Sequence, residues 1–400
     1  MSQAKPTRSR DWSWPFWPLL PLYPYGQRRT LQREIVKDTI WTFDQLQGIL
    51  YVVVPVRMTV VRLEAGGLLV YAPVAPTPEC VRMVRALETE HGAVKYIILP
   101  TVTAIEHKVF VGPFARKFPS AQVYVTPGQW SFPFNLPLSW LGFPNQRTQG
   151  LPIQSSAAPF ADEFDYEILG PLELGLGPFS ETAMLHKRSQ TLLVTDSVVS
   201  IPAEPPPIVQ LDTYPLLFHA KDSAFDQPAD TYENRRKGWQ RIALFAFYFR
   251  PSALKNPRWG EVLRNAFKTP YRSRRNYFGL FPFDWQPHWQ QSFEQLRGNG
   301  RLLVAPVLQS LIFNRGPQTV FAWADTVSKW DFQRIIACHL DNPIAATGKG
   351  FRQAFEFLCE GKDITEGGHP GGDLPQADFE LLKQISVQLK KTGVIPPAQN

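Results

Sequence analysis

The chain has 400 residues, of which 44% are hydrophobic, and it carries a formal net charge of +7 at pH 7. This length and apolar fraction suffice for a substantial folded core, and 38 prolines indicate several long, stiff loops around it. The three cysteines, Cys80, Cys338 and Cys359, form no Cys-x-x-Cys pair, which argues against a disulfide framework and a structural zinc site and indicates a reducing compartment.

No apolar run approaches the roughly 20 residues that a membrane span needs. The longest candidate, residues 242–249, lies between Arg241 and Arg250. The apolar segment from Trp12 to Leu22 is interrupted by prolines, so it lacks the helical core of a signal peptide. We therefore expect a cytoplasmic chain, with peripheral attachment to a membrane left open.

Arginines gather at residues 28–29, 235–236 and 272–275. Basic patches of this kind bind nucleic acid, anionic lipid or an acidic partner. No recognition helix, zinc-finger spacing or aromatic RNA-binding signature accompanies them, so we predict no nucleic-acid binding. We interpret these arginines as a solvated basic face.

The first elements in chain order are an arm and a run of strands. Residues 1–30 are rich in tryptophan and proline, which excludes a regular helix, and we expect them to pack on the protein's own surface or to contact a membrane interface. β-branched and aromatic residues then predict strands at 39–43, 49–54, 58–63 and 68–71, with Gly66-Gly67 forming a hairpin.

Strand and helix signals alternate after the hairpin. A helix is predicted from Thr77 or Pro78 to Gly92, because Val81, Val84 and Leu87 recur at helical spacing. A strand at 94–99, a helix at 109–118 and a strand at 122–125 follow. This alternation is typical of a layered α/β fold.

The second half begins with a proline-rich, loop-like stretch at 126–165. Strands are predicted at 166–169, 182–186, 191–195 and 334–337, and residues 208–300 are predicted to form a helical insert. Helices are predicted at 304–313, 318–329, 350–359 and 379–391, with a glycine-rich loop at 361–375. No internal repeat of about 20–50 residues is present.

The insert contains one clear apolar stripe, which has two interpretations. Its members recur at helical spacing, namely Trp239, Ile242, Ala243, Ala246 and Phe249. A helix that buries this stripe in the core is the first interpretation, and a surface helix that lies on a membrane is the second.

Three predicted strands are each followed by potential metal ligands. The strand at 94–99 leads to Glu106 and His107, the strand at 191–195 leads to Asp196, and the strand at 334–337 leads to His339. Strand ends carry chemistry in α/β proteins, and nitrogen with carboxylate ligands suits zinc, iron or manganese. Capping or packing by His107 and a turn cap by Asp196 remain open alternatives.

The remaining candidates carry weaker signals. His186 lies inside a predicted strand and faces either towards or away from such a site, while His219, His288 and His369 are interpreted as surface or packing residues. No nucleophile elbow, P-loop or Gly-x-Gly-x-x-Gly motif is present, so we predict no nucleotide cofactor.

Four blocks of the sequence carry a family resemblance, at residues 57–80, 96–119, 185–198 and 335–344. They resemble an uncharacterised metallo-β-lactamase-like family of cyanobacteria and plant plastids that is known only as a domain of unknown function. The resemblance covers residues 40–350. It implies an α/β fold, the metallo-β-lactamase-like αββα sandwich, over residues 39–350 with the mostly helical insert at 208–300. A Trp/Pro-rich arm (1–38) precedes it, and C-terminal helices and a tail (351–400) follow.

The resemblance also implies an altered metal motif. Hydrolases of the superfamily carry His-x-His-x-Asp-His after the equivalent strand, but here Val102 and Ala104 replace the first two histidines and Glu106 replaces the aspartate. A histidine that usually precedes the bridging aspartate is missing from residues 177–181.

What remains is half of a two-metal site. By the same resemblance, Asp196 matches the bridging aspartate and His339 matches the last histidine. Glu106, His107, Asp196 and His339 are therefore the predicted ligands of one zinc, iron or manganese ion, with Asp196 or Glu106 as the candidate catalytic base.

Two functions follow as expectations. The first is a non-catalytic or weakly catalytic scaffold or assembly factor, which the family's occurrence in phototrophs places peripherally on the thylakoid, with a photosynthetic protein or an anionic membrane surface as its partner. The second is a single-metal hydrolase that uses the retained half-site. Binding of an unidentified small molecule in the old cleft is a third alternative.

Overall fold

The computed structural model describes residues 9–19, 21–102, 105–131, 135–175, 177–358 and 374–391. The first sheet has seven strands, which lie side by side in chain order: β1 (Leu31–Val36), β2 (Ile40–Ile49), β3 (Val52–Arg62), β4 (Leu68–Tyr71), β5 (Val94–Leu99), β6 (Gln122–Val125) and β7 (Thr148–Gly150). The strands β1 to β4 pair antiparallel, and β4 to β7 pair parallel.

The chain then builds a second sheet. Its strands are β8 (Phe164–Glu173), β9 (Pro178–His186) and β10 (Thr191–Val194); β11 (Leu254–Lys255) and β12 (Asp284–Trp285) form a small ribbon, and β13 (Arg334–Ala337) and β14 (Ile344–Ala345) return to the second sheet. The spatial order is β14-β13-β10-β9-β8, and β13 runs parallel to β10.

Helices cover the outer faces of both sheets. They are α1 (Pro78–His91), α2 (Ile105–Lys117), α3 (Tyr214–Ala220), α4 (Tyr232–Tyr248), α5 (Trp259–Lys268), α6 (Trp289–Arg297), α7 (Pro306–Leu311), α8 (Pro317–Ser328), α9 (Gly348–Gln353) and α10 (Glu380–Lys391). Within the described ranges, no helix is long and apolar enough to cross a membrane.

Side-chain alternation along the strands produces the layers. On β4, Leu68 and Val70 pack against α1 and α2, whereas Leu69 and Tyr71 point into the space between the two sheets. On β10, Leu193 faces the other sheet and its neighbours Leu192 and Val194 face the helices. The αββα sandwich that the sequence predicts is therefore confirmed.

Two helices were predicted between β4 and β6. The first, α1, is confirmed, and the second, α2, begins earlier in the chain than predicted. The hydroxyl of Thr77 accepts the Cys80 N–H and so caps α1, which ends before Gly92 at φ 95°. The predicted helix at 109–118 instead begins at Ile105, so Glu106 and His107 lie in its first turn and not in the preceding loop.

The prediction of two strands at 49–54 and 58–63 is wrong in its division, because Val52–Arg62 forms one strand, β3, and Ile49 is the last residue of β2. Pro55 lies inside this strand and has no N–H to donate. Because β4 pairs only with Thr59–Arg62 of β3, the proline removes no hydrogen bond to β4. The strand β1 also pairs with β2, so the sheet begins inside the segment 1–38 that was predicted as the arm.

The rest of the arm packs in part on the protein itself. Trp14 is buried against Phe110 of α2, whereas Phe16, Trp17 and Tyr25 remain exposed. Residues 1–8, much of the glycine-rich loop predicted at 361–375 and the end of the tail lie outside the described residues.

The apolar stripe of the insert faces the core. Trp239, Ile242 and Ala243 on α4 are fully buried, Ala246 is half-buried, and only Phe249, just past the end of α4, is exposed, so the membrane-surface interpretation of this helix is wrong. The arginines were also predicted to form a solvated basic face. This holds for residues 235–236, which pair with Asp230 and Glu204. It is wrong for Arg28, which is buried and donates to the Leu46 carbonyl.

A buried arginine, paired with an aspartate of its own sheet, joins the two sheets. Arg57 on β3 contacts Asp44 on β2 (Nε to Oδ1, 2.6 Å), and both side chains are almost inaccessible. The same guanidinium donates to the carbonyls of Ala337 and Leu340, which belong to the end of β13 and the turn beyond it. Arg57 thus fixes the second sheet to the first at the point where β13 ends.

We expect Arg57→Met to lower the free energy of unfolding by about 3–5 kcal/mol, because the Asp44 carboxylate would remain buried without its close, buried partner. Urea unfolding followed by circular dichroism measures this change.

Arg33→Met is the matched control, since Arg33 contacts the same carboxylate at 3.4 Å but is 31% exposed. Its loss should cost at most about 1 kcal/mol. Equal effects of the two substitutions would contradict the role assigned to Arg57.

Candidate metal centre

The ends of β5, β10 and β13 meet at one edge of the sandwich. The segment after β5 is joined to β9 of the other sheet by two backbone bonds, from Thr182 N–H to the Pro100 carbonyl (2.7 Å) and from Val102 N–H to the Ser180 carbonyl (3.2 Å). These bonds hold the start of α2, which carries Glu106 and His107, against the second sheet.

A buried carboxylate holds the loop that carries Asp196. Glu181 on β9 is fully buried and accepts the backbone N–H groups of Thr195, Asp196 and Ser197 at 2.8–3.0 Å. It also accepts the Ser197 hydroxyl at 2.8 Å. Four donors on one side chain fix the turn after β10 and therefore the position of Asp196.

His339 is oriented from the first sheet. Its Nδ1 donates to the carbonyl of Pro55 on β3 at 2.8 Å, and Arg57 holds the Ala337 and Leu340 carbonyls on either side of it. Nε2 is thereby directed to the edge of the sandwich where the carboxylates lie.

Three of the four predicted ligands converge. His339 Nε2 lies 3.1 Å from Asp196 Oδ1 and 3.9 Å from Glu106 Oε1. One ligand atom from each of these three residues lies within 4.8 Å of the others. The exposed fraction of the side chain is 15% for His339, 20% for Asp196 and 22% for Glu106, so solvent reaches all three.

The charges at this site are coupled. Burial opposes the charge of His339, but the hydrogen bond and charge of Asp196 outweigh it and raise the pKa of His339 to about 9. Burial likewise opposes the charge of Asp196, yet the bond to His339 lowers the pKa of this carboxyl. Burial, and then the charge of Asp196, raise the pKa of Glu106. The site therefore contains an Asp196–His339 ion pair beside a carboxyl that holds a proton more readily than usual.

His107, the fourth predicted ligand, lies near this cluster but is not part of it. Its ring centre is 6.3 Å from that of His339, and its Nδ1 contacts the Pro73 carbonyl at 3.3 Å. Burial, together with the charge of His339, lowers the pKa of His107 to about 4, so the ring is neutral. Its buried Nε2 has no hydrogen-bond partner among the described residues and presents a free lone pair.

The other sequence candidates lie elsewhere. His186 bonds through Nδ1 to the Ser189 hydroxyl (2.7 Å), and His219 bonds to the Leu50 carbonyl (3.1 Å), both as packing residues. His288 is exposed. Ala104, Cys359 and His369 lie outside the described residues, and Cys80 and Cys338 are free and buried.

Sequence reasoning missed two functional residues, Glu181 and Arg57. Glu181 had a recognisable signal, because a glutamate stands among small and apolar residues in the buried stretch 178–186. Arg57 had none, since its partners are 280 and 283 positions further along the chain or on a neighbouring strand.

One family model matches the chain over residues 37–357, and its description is Domain of unknown function (DUF4336). No curated protein sequence matches the chain.

Several solved structures resemble the chain at low identity. A metal-soaked flavodiiron core (Flv1) from Synechocystis sp. PCC6803 is 10% identical with a TM-score of 0.41, over 83% of this chain and 61% of that one. A flavoprotein from Thermotoga maritima is 7% identical with a TM-score of 0.40, over 82% and 61%. A metallo-β-lactamase from Pontibacter korlensis is 13% identical with a TM-score of 0.32, over 42% and 73%. The chain therefore spans less than two thirds of the flavodiiron core's length.

The raised pKa of His339 predicts a pH-dependent contribution to stability. A histidine whose pKa rises from 6.5 to about 9 on folding stabilises the native state fully below pH 6.5 and loses this effect as the pH rises through 9. The difference in unfolding free energy between wild type and His339→Gln should shrink by on the order of 3 kcal/mol between about pH 6 and pH 10.

Urea unfolding across this pH range tests the expectation, with His288→Gln as the control because His288 is exposed. A wild-type advantage that does not change with pH would show that His339 is not charged in the folded chain.

Glu181→Gln should destabilise the fold by roughly 2–4 kcal/mol, because an amide cannot accept from all four donors. The control is Glu173→Gln, since Glu173 on β8 is exposed. Thermal or urea unfolding of both variants provides the comparison, and equal stability of the two would rule out an anchoring role for Glu181.

Proposed function

The chain belongs to the DUF4336 family, and from the geometry of its site we propose that it has a single-ion hydrolase centre at Glu106, Asp196 and His339. The observation that carries the proposal is the approach of two carboxylates and one imidazole from three separate chain segments to within 4.8 Å. Zinc, iron and manganese are the ions that this donor set suits.

The spacing of the ligand atoms is compatible with one ion. Ligands at about 2.0–2.1 Å from a tetrahedral ion lie about 3.3 Å from one another. The two distances from His339 Nε2, 3.1 Å and 3.9 Å, fall on either side of this value. The unpartnered Nε2 of the nearby His107 offers a fourth ligand, and the second nitrogen, if the first turn of α2 adjusts.

Residues in and around the site would supply the proton acceptor and the positioning that the reaction needs besides the ion. A bound ion would polarise a carbonyl or phosphoryl oxygen and lower the pKa of a coordinated water. Glu106, whose pKa is raised, is suited to accept a proton on the carboxylate oxygen that would not bind the ion. Glu181 and Arg57 keep the Asp196 turn and His339 in position.

The second candidate is the non-catalytic scaffold or assembly factor. Its supporting observation is the 3.1 Å contact between His339 and Asp196, which pairs these two charges without any ion. Attachment to a photosynthetic membrane and a photosynthetic protein partner remain predictions of this candidate.

We expect purified protein to bind one Zn²⁺, Mn²⁺ or Fe²⁺ per chain, as measured by elemental analysis and titration calorimetry. Because His339 must lose a proton to bind an ion, uptake near pH 7 should release about one proton to the buffer. His339→Ala or Asp196→Asn should weaken binding by more than the roughly 10–100-fold that outer-sphere partners contribute, and His107→Ala should show whether its nitrogen takes part.

His288→Ala is the matched control and should bind as wild type does, since His288 is exposed. Absence of stoichiometric metal in wild type would overturn the proposal. Metal binding without hydrolysis of activated ester, lactam and phosphodiester substrates would favour the second candidate.

A further inference from the structure

The helix α5 exposes an apolar stripe to solvent. Trp259, Leu263 and Phe267 are 67%, 48% and 75% exposed, and their spacing of four residues places them in one row along the helix. Val262 and Ala266, on the adjoining side, are buried and attach the helix to the body. A row of large apolar side chains that the fold leaves uncovered is typical of an interaction surface.

The segment that contains this stripe is strongly basic. Residues 255–275 contain seven basic residues (Lys255, Arg258, Arg264, Lys268, Arg272, Arg274 and Arg275) and one acidic residue, Glu261. Their net charge of +6 (seven minus one) nearly equals the +7 of the whole chain. Within the described residues only Arg275 of these seven has an ion-pair partner, Asp212 at 3.0 Å.

The segment after α5 is held firmly on the body. The hydroxyls of Tyr51 and Tyr214 both donate to the Arg275 carbonyl, at 2.8 Å and 2.9 Å. Thr269, at the end of α5, donates to the Ala224 carbonyl at 2.7 Å. The apolar stripe and the charges are thus presented in a fixed arrangement.

We propose that α5 and the basic residues around it form a docking surface for an anionic lipid bilayer, with Trp259, Leu263 and Phe267 inserted among the headgroups. The flanking cations meet the negative lipid headgroups, while the apolar row enters the acyl boundary, as in interfacial amphipathic helices. Leu263 between the two rings favours acyl chains over stacked nucleic-acid bases, because it has no aromatic face. This surface does not depend on the proposed metal centre.

Sedimentation of the full chain with vesicles tests the proposal. We expect binding to mixed phosphatidylcholine–phosphatidylglycerol vesicles at about 50 mM salt, weak binding to phosphatidylcholine alone, and release at about 500 mM salt. Replacing Trp259, Leu263 and Phe267 by serine should lower the affinity about 100-fold or more. The pair Arg264→Gln and Lys268→Gln should lower it about tenfold or more.

Two controls separate the outcomes. Trp140→Ser removes another exposed tryptophan (76%) and should bind as wild type does, and His339→Ala, which breaks the metal centre, should also bind vesicles normally. Melting curves of the serine variant will establish whether it is folded. Equal binding to neutral vesicles, full binding by the serine variant, or no binding at low salt would overturn the proposal. The proposal would also be overturned if the chain formed a dimer, or bound single-stranded DNA, in place of binding vesicles, and if the serine variant abolished that association.

Discussion

The buried guanidinium of Arg57 is the contact on which the arrangement of the two sheets depends. It pairs with Asp44 inside the first sheet and donates to two carbonyls of the second, so a shift of either sheet would leave a buried charge or carbonyl unsatisfied. The adjacent carbonyl of Pro55 orients His339. The same strand, β3, therefore joins the layers and positions one member of the candidate site.

Electrostatics then decide what this site can do. On the opposite side, Glu181 fixes the turn of Asp196, so the aspartate and His339 face each other from two rigid supports. Their ion pair stabilises the site without a metal, and an ion must displace the proton of His339 to enter. The same contact thus supports the second candidate function and is the pair that metal binding, in the first, would have to break.

The sequence predicted much of the fold because local periodicity and turn chemistry agree with the tertiary structure. The helix at α1 and the strands β4, β5 and β6 were predicted close to their observed bounds, since capping by Thr77, the Gly66-Gly67 turn and short buried runs are local signals. Errors occurred where a distant partner overrides local pattern. Two strands were predicted at 49–54 and 58–63, but Val52–Arg62 is one strand, β3, which pairs with β2 along its whole length.

The amino-acid sequence by itself determined a layered α/β fold and the chemical identity of the candidate ligands, because strand and helix periodicity and residue type are properties of short segments, whereas the αββα arrangement was implied by the family resemblance. Only the tertiary structure decided that Glu106, Asp196 and His339 meet while His107 stays at a distance. It also decided that the stripe on α4 is buried whereas that on α5 is exposed. Both outcomes depend on which segments pack together across the fold, and a side chain's partners are set by that packing and not by its neighbours in the chain.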